Sequence, residues 1–309
     1  MNLVSRIIKK VGPALHRRAS SSGVDLGQSV TTYWTEHNVT LHRTFPSAEE
    51  SLRDFHWRND QYFRYIDLMP VDKATGLTVL DFGCGPGYDL VGFTVSCRPS
   101  RLIGVDVSSS SLAEARDRLK LHGADPELIH HDVAKGPIPL PDASVDLVHS
   151  SGVLHHLPSI NPALKELRRV LKPGGRAQIM VYHADSIWAH LYVAFDRQLL
   201  QGIGTELTLE DAFQASTDGE DCPVSRCYTQ QQFTDLMIAH GFEPEGFGVA
   251  VSAWEMTLLP KRFAAIMDKR LPERSRRFLA GLTFDERGLP LARPGVHAGV
   301  DACFSFRAA

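Results

Sequence analysis

A glycine-rich turn directly after an apolar run is the strongest chemical signal in the sequence. The stretch VLDFGCGPGYDL places Gly83, Gly85 and Gly87 at alternate positions, ahead of residues that predict a helix. Glycines here allow a tight turn and let the backbone approach a ligand held near the helix N-terminus. The third glycine follows the second by two residues, which departs from the G-x-G-x-x-G fingerprint. The turn therefore indicates a ligand site and argues against a nicotinamide dehydrogenase.

Acidic residues occur at the ends of three successive predicted strands. Asp81 precedes the first glycine by two residues, Asp106 ends the second strand and Asp132 ends the third. Asp106 lies 19 residues after Gly87, and a carboxylate there can accept hydrogen bonds from both hydroxyls of a ribose. Asp132 can reach an adenine amino group, although a turn or capping role is the simpler interpretation of Asp132 alone. The three acids together are hard to explain without such a ligand.

Two adjacent histidines in SSGVLHHLPS are candidates for a catalytic base. His155 and His156 follow the fourth predicted strand, at the sheet edge where ligands bind in open α/β folds. An imidazole titrates near neutrality and can accept the proton of an attacking hydroxyl. Adjacent residues on a helix point about 100° apart, so at most one should face a reactant. The same geometry argues against zinc ligation by both, and a structural role for both is the alternative.

The elements that must position these residues alternate between strands and helices. Five apolar runs predict strands: LTVLDFG, RLIGVDVS, PELIHHDV, SVDLVHSSG and RAQIMVYH. Helical periodicity occurs in SLAEARDRLKLHG and NPALKELRRVLKPGG, and two later strands are expected around 242–251 and 299–306. A helix capped by Thr229 with Gln232 is predicted in YTQQQFTDLMIAHGF, and one amphipathic helix over 51–70. Strands separated by helices imply a parallel sheet with helices on both faces.

In combination these motifs resemble the class I S-adenosylmethionine-dependent methyltransferases, in particular the small-molecule group that includes the ubiquinone-biosynthesis enzymes. The resemblance runs from about 78 to 183 and returns at 228–242, through VLDFGCGPG, IGVDVS, HHDV, PLPDASVDLVHSSGVLHHL and ELRRVLKPGGR. It implies a Rossmann-like α/β fold whose seven-stranded sheet is parallel except for one late strand near the edge, which AGVDACFSFRAA suits. It also implies S-adenosyl-L-methionine as co-substrate. No carboxylates follow strands four and five in the pattern of the metal-dependent catechol-type enzymes, so no metal is expected.

The resemblance assigns cofactor-binding roles by position. Five residues would hold the methionine end of the cofactor: Asp81, Gly83, Cys84, Gly85 and Gly87. Five more would surround its nucleoside and sulfonium: Asp106, Val107, Asp132, Val133 and Ser150. Within this second set, Asp106 would bind the ribose hydroxyls, Val107 would pack on the adenine and Ser150 would face the sulfonium.

The resemblance also bears on the histidine pair. In plant-type small-molecule O-methyltransferases, a histidine followed by an acid at a similar place acts as the general base. By this likeness His155 would be the base, and His156 would pack or cap inward. No acid follows His155, which departs from that pattern. A base is not strictly required, because the sulfonium is already activated and in-line positioning supplies much of the acceleration.

The substrate pocket should be built from segments outside this core, at 30–66, 184–225 and 252–298. The expected wall residues are mostly aromatic: Trp34, His37, Trp57, Arg58, Tyr62, Trp188 and Tyr192. An acidic stretch at 206–221 is either a solvated loop or a feature that favours a cationic acceptor. Net charge −3 and the lack of the Asn/Asp-Pro-Pro-aromatic motif argue against a nucleic-acid substrate. We expect a small-molecule or glycan acceptor methylated on oxygen, with nitrogen, carbon or a non-catalytic cofactor-binding subunit as alternatives.

The chain divides into three parts by composition and pattern. Residues 1–24 are basic and acid-free, and predict an amphipathic helix on an anionic membrane, a mitochondrial presequence or a disordered terminus. Residues 25–75 predict a helical cap. Residues 76–309 predict the methyltransferase domain, with insertions acting as lids at about 184–225 and 252–298. Five scattered cysteines and the lack of an apolar run of about 18 residues favour a cytoplasmic protein.

Overall fold

The computed structural model describes residues 26–38, 42–219 and 221–309. The basic segment 1–24, with its membrane and presequence alternatives, lies outside the described residues. The strands in chain order are β1 (Tyr62–Phe63), β2 (Thr78–Phe82), β3 (Arg101–Asp106), β4 (Glu127–His130), β5 (Val145–Ser151), β6 (Leu171–His183), β7 (Cys227–Tyr228), β8 (Phe242–Ser252), β9 (Thr283–Phe284), β10 (Pro290–Arg293), β11 (Val296–His297) and β12 (Asp301–Ala308).

Within the described ranges, nine strands form one sheet in the order β1-β8-β12-β6-β5-β2-β3-β4, with β7 beside β6. The strands from β2 to β6 pair in parallel, and β12 pairs antiparallel with both β6 and β8. This confirms the Rossmann-like α/β sheet with its inserted late strand. The strands β1 and β7 add to the seven expected ones, because a two-residue pairing has no periodicity that a sequence can reveal.

Helices cover both faces of this sheet. In chain order they are α1 (Leu26–Glu36), α2 (Ala48–Asp60), α3 (Tyr65–Leu68), α4 (Tyr88–Ser96), α5 (Ser109–Leu121), α6 (Asn161–Val170), α7 (Trp188–Leu200, a π-helix), α8 (Leu209–Gln214), α9 (Gln230–Ile238), α10 (Ala253–Leu258), α11 (Arg262–Met267) and α12 (Glu273–Gly281). Leu164 and Phe233 bury α6 and α9 against one face, and Leu90 and Leu119 bury α4 and α5 against the other. None of the described helices combines the length and the apolar character needed to span a bilayer.

The predicted single helix over 51–70 is wrong. Helix α2 ends at Asp60, β1 follows, and Arg64 takes a left-handed conformation with φ 71° before α3 begins. The break arises because β1 pairs antiparallel with the end of β8. A tertiary pairing thus overrides a helical pattern in the sequence. The capping box of Thr229 and Gln232 at the start of α9 is confirmed.

The two inserted segments share a hydrophobic core of their own. Helices α7 and α8 come from the first segment, and α10, α11, α12 and the small sheet β9–β11 come from the second. Leu191 and Phe213 of the first pack in one cluster with Leu258 and Leu279 of the second. The insertions therefore stabilise each other as a layer beside the main sheet.

Candidate active site

A cavity of about 640 Å³ lies at the carboxyl edge of the parallel strands, within the usual size range of small-molecule sites. Its glycine end follows β2, β3 and β4, and is lined by Asp81, Gly83, Gly85, Asp106 and Asp132. Its aromatic end lies beside α1, β1, β6 and β12, and is lined by Trp34, Tyr62, Tyr182, Asp218 and Asp301. The cavity is continuous, so a ligand at one end can meet a ligand at the other.

Backbone geometry explains the glycines of the turn. Gly83, Gly85 and Gly87 have φ values of 77°, 51° and 81°, in the left-handed region that favours glycine. A Cβ on Gly83 would lie 2.3 Å from a methyl of Val153, so a side chain has no room there. The amide of Gly83 also donates to the carbonyl of Val105 at 2.7 Å, which ties the turn to β3. The turn from Gly83 to Gly87 therefore forms a narrow cradle, in which backbone atoms and not side chains face the ligand space.

Asp106 is held in place by backbone amides. Its carboxylate accepts one hydrogen bond from the amide of Gly85 and one from that of Ser108, each at 2.8 Å. Burial raises the pKa of Asp106, and these amide hydrogen bonds oppose the rise. The side chain also lines the cavity, so its remaining lone pairs can accept hydrogen bonds from hydroxyls of a bound ligand.

Asp81 is the acid of the glycine end that lacks a partner. It is 2% exposed, and no described residue donates a hydrogen bond to its carboxyl. Burial raises the pKa of Asp81 to about 7, while the nearby His149 opposes the rise. A buried polar group without a partner is costly unless a ligand supplies one. The lone carboxyl and the open cradle at Gly83 therefore fit the amino-acid end of S-adenosyl-L-methionine.

Two of the expected cofactor residues lie outside the cavity, and the rest line it: Asp81, Gly83, Cys84, Gly85, Asp106, Val107, Asp132 and Val133. Gly87 instead begins α4, where a Cβ would lie 3.2 Å from that of Ala115. Ser150 is fully buried and donates its hydroxyl to the carbonyl of Phe82 at 3.0 Å. Its neighbour Ser151 lines the cavity, because successive strand residues point to opposite faces. The expected placement of Ser150 is therefore off by one residue.

A buried ionic network behind the glycine turn was missed by sequence reasoning. Asp89, in the first turn of α4, accepts a hydrogen bond from Arg58 at 2.8 Å and lies 3.2 Å from Nε2 of His149. Burial alone would raise the pKa of Asp89, but Arg58 and His149 together hold it well below its usual range. Since Arg58 belongs to α2, the network joins the N-terminal helices to the sheet. The sequence signal that could have revealed this network is Asp89 itself, an acid two residues after the third glycine of the turn.

The two histidines lie in a 3-10 turn, and their positions are the opposite of those expected. His155 has no exposed surface, does not line the cavity, and packs on Tyr182 with ring centroids 4.0 Å apart. Burial lowers the pKa of His155 well below its usual value, and no described residue forms a hydrogen bond with either ring nitrogen. His156 lines the cavity and meets the ring of Trp34 at 4.8 Å. His156 is therefore the one placed to meet a reactant.

His156 has the geometry of a base. Its Nδ1 lies 2.7 Å from the carbonyl oxygen of Val224, which can only accept, so the neutral ring carries its proton on Nδ1. Nε2 keeps its lone pair and lies 3.6 Å from a carboxylate oxygen of Asp218. The hydroxyl of Tyr182 donates to Asp218 and holds it there. Burial lowers the pKa of His156, which favours the neutral ring, and the charge of Asp218 opposes this.

One group of described side chains has the composition of a metal site. His156, Asp218 and Cys222 each place a donor atom within 4.8 Å of the others. Sγ of Cys222 lies 3.9 Å from Nδ1 of His156, but that nitrogen already donates to Val224. The group is therefore not arranged in advance for an ion, and the expectation of no metal stays a prediction.

The walls of the aromatic end only partly match the expected set. The expected residues that line the cavity are Trp34, Trp57, Arg58 and Tyr62. Those that do not are His37, Trp188 and Tyr192. Trp188 instead donates its indole N–H to Ser216 in the core of the insertions. Asp218 is the one described lining residue from 184–225, and 252–298 supplies none. Tyr182 and Asp301, on sheet strands, take their place.

A comparison with known families identifies the central part of the chain. Residues 80–179 match a family model described as a methyltransferase domain. The chain contains a class I S-adenosylmethionine-dependent methyltransferase domain. The matched segment is about a third of the chain, and includes the glycine turn, Asp106, Asp132 and His156. The aromatic end draws on residues from both sides of this matched segment.

Two curated relatives show different acceptors for similar methyltransferase sequences. The ubiquinone/menaquinone biosynthesis C-methyltransferase UbiE of Burkholderia orbicola is 34% identical over 122 residues, which cover 39% of this chain and 49% of that one. The 27-O-demethylrifamycin SV methyltransferase of Amycolatopsis mediterranei is 28% identical over 144 residues, which cover 47% of each. The chain spans about half the length, or less, of the curated relatives it matches.

Solved structures support the fold of the whole described chain. The [4+2]-cyclase SpnF superposes with a TM-score of 0.53 at 17% identity, and covers 92% of this chain and 97% of that one. That protein is named for a cyclisation, so the structural similarity is evidence for the fold of this chain and not for its activity.

Proposed function

We propose that the chain transfers the methyl group of S-adenosyl-L-methionine to a hydroxyl oxygen of a small-molecule or glycan acceptor. The observation that carries this proposal is the cavity, whose lining includes the glycine turn, Asp106 and His156. A cofactor and a small acceptor can meet in a space of about 640 Å³, closed on one side by α1 and α2.

The glycine end would hold the cofactor, which supplies a methyl group activated by a sulfonium. Asp106 accepts hydrogen bonds from the ribose hydroxyls, and Val107 and Val133 pack beside the adenine. Asp81 neutralises the ammonium of the methionine part, which gives its buried carboxyl the partner it lacks. Because Gly83 has no side chain, the ligand could lie close to the backbone of the turn.

His156 would take the proton of the acceptor hydroxyl. The hydrogen bond of Nδ1 to Val224 leaves Nε2 as the acceptor. Nε2 would take the hydroxyl proton as the oxygen bonds to the methyl carbon, whose bond to sulfur would break to release S-adenosylhomocysteine. Asp218, 3.6 Å away, stabilises the imidazolium that forms. In-line positioning by the walls of the cavity supplies the rest of the acceleration.

Oxygen is favoured as the acceptor atom because the site offers a neutral base beside the cavity. The name of the rifamycin relative also specifies an oxygen, whereas the name of the UbiE relative specifies a carbon. Carbon and nitrogen acceptors are therefore kept as alternatives. A non-catalytic subunit that binds the cofactor is a further alternative. We propose no nucleic-acid partner. None of the five cysteines, all of which are described, forms a disulfide bond, which supports a reducing compartment such as the cytoplasm.

Calorimetric titration of the purified chain with S-adenosylmethionine, S-adenosylhomocysteine and NAD tests the proposal. We expect micromolar binding of both adenosyl ligands and none of NAD. Asp106→Ala should abolish binding, whereas Asp117→Ala, an exposed acid on α5, should not affect it. Binding of NAD alone, or of no ligand, would contradict the proposal. Binding of the adenosyl ligands without methyl transfer to any acceptor in a broad screen would favour the non-catalytic alternative.

A further inference from the structure

A second buried acid without a partner lies at the aromatic end. Asp301 begins β12, is 2% exposed and lines the cavity. Among the described residues, no donor forms a hydrogen bond or ion pair with its carboxyl. The roles proposed above for the cofactor and the base leave this side chain unused. A buried carboxyl in this state is costly, and a ligand that supplies a donor removes that cost.

Aromatic side chains line the same cavity as this carboxyl. Asp301 stands directly opposite Tyr182 in the β6–β12 ladder, and directly opposed residues share one face of a sheet. Tyr62 lines the same cavity as Asp301, and burial, followed by the charge of Asp301, raises the pKa of Tyr62. Trp34 and Trp57 line the same cavity. The faces of such rings attract cations.

The arginines that line the cavity are engaged with other acids. Arg58 donates to Asp89 at 2.8 Å, and Arg43 donates to Asp54 at 2.6 Å. Asp218, the other acid of the aromatic end, accepts hydrogen bonds from the Tyr182 hydroxyl. Asp301 is therefore the acid of this end that is left for a ligand, and an ammonium that binds it takes the place of the proton that burial otherwise keeps on the carboxyl.

We propose that Asp301 binds a protonated amine of the methyl acceptor, so that the substrate carries a cationic nitrogen as well as the atom that is methylated. This inference rests on the proposed function, because it assigns the substrate class of the same site. A neutral hydroxyl can also donate to a carboxylate, but a charge-assisted hydrogen bond is about twice as strong. The aromatic walls add a cation–π attraction that only the charged group receives.

The test uses matched probes in the complex with S-adenosylhomocysteine. Tyramine and 4-propylphenol share a ring, a hydroxyl and a chain length, and differ in an ammonium group that replaces a methyl. Tryptamine and 3-propylindole form a second pair. Calorimetry at pH 7 gives the dissociation constant of each probe for wild type, Asp301→Asn and the surface control Asp235→Asn.

In wild type and Asp235→Asn, we expect at least one amine to bind about tenfold more tightly than its uncharged partner, the value of one charge-assisted hydrogen bond. Asp301→Asn should bind S-adenosylhomocysteine normally and lose that preference. Equal binding within both pairs, no binding of either amine, or a preference that survives Asp301→Asn overturns the inference.

The controls separate this inference from the proposed function. Failure of the wild-type chain to bind S-adenosylhomocysteine would reject the proposed function itself. Normal binding of S-adenosylhomocysteine without an amine preference would reject only the role of Asp301. If Asp301→Asn does not fold, Asp301→Ser replaces it with the same expected loss, and if neither folds the wild-type ratio decides.

Discussion

The two ends of the cavity are built in different ways. At the glycine end, the lining residues come from one stretch of chain, 81–133, and backbone amides hold Asp106 in position. At the aromatic end, the lining residues come from segments far apart in the chain, from Trp34 in α1 to Asp301 in β12. Side-chain contacts, such as that of Tyr182 with Asp218, hold this end together.

Under the proposed function, this difference teaches that cofactor recognition would depend on local chain geometry, whereas acceptor recognition would depend on the assembled fold. Substitutions at the glycine end should therefore change cofactor affinity. Substitutions at the aromatic end should change turnover or acceptor choice while the cofactor still binds.

The largest effect should come from the base at the aromatic end. His156→Gln removes the acceptor nitrogen, and we expect kcat to fall by about 10²–10⁴, the usual contribution of a general base. Cofactor affinity should not change. His155→Leu should keep kcat near the wild-type value, because both nitrogens of His155 are buried and unpaired. Steady-state kinetics with an identified acceptor checks both, and equal losses in the two variants would contradict the assignment.

The next effect concerns the support behind the glycine end. Asp89→Asn leaves Arg58 and His149 without their buried anion, and should lower the free energy of unfolding by about 3–5 kcal/mol. The matched control is Glu127→Gln, which breaks the exposed pair with Arg101 and should cost less than about 1 kcal/mol. Urea unfolding measures both values. Similar losses in the two variants would show that the buried network has no special role.

The shape of the glycine end can be tested separately. Gly83→Ala places a methyl against Val153, and should weaken S-adenosylhomocysteine binding about 100-fold, or 2.7 kcal/mol. Adding Val153→Ala should restore part of the affinity by opening space. Gly85→Ala has no neighbour within 4 Å and a φ of 51°, so it should cost less. Calorimetry would contradict the steric explanation if the double variant bound no better than Gly83→Ala.

The smallest effect concerns the unpaired acid of the aromatic end. Burial raises the pKa of Asp301 well above its usual value, so the folded chain keeps a proton that the unfolded chain loses near pH 4. Wild-type stability should therefore fall as the pH rises above 4, relative to Asp301→Asn. The variant should be more stable at pH 7, and the gain should vanish below about pH 4. Urea unfolding from pH 3.5 to 7 measures this, and a difference that does not change with pH would contradict it.

Much of the fold could be predicted because its signals are local. Alternating apolar runs and helical periodicity indicated the parallel sheet, and the alternate glycines indicated a cradle whose conformation only glycine adopts readily. The prediction of a single helix over 51–70 was wrong because β1 interrupts it. The strand that pairs with β1 is β8, which lies almost 200 residues later in the chain. Asp89 was missed because its importance depends on Arg58 and His149, which are distant in sequence.

By itself, the sequence determined the methyltransferase domain and most of the glycine end of the cavity, since residues close in the chain build both. Only the tertiary structure decided which of two adjacent histidines faces the cavity, and that Ser151 rather than Ser150 does so. A shift of one residue on a strand or turn reverses the direction of a side chain, and a sequence pattern rarely resolves such a shift. Only the tertiary structure brought Asp301 beside Tyr182, because β12 inserts between strands that precede it in the chain.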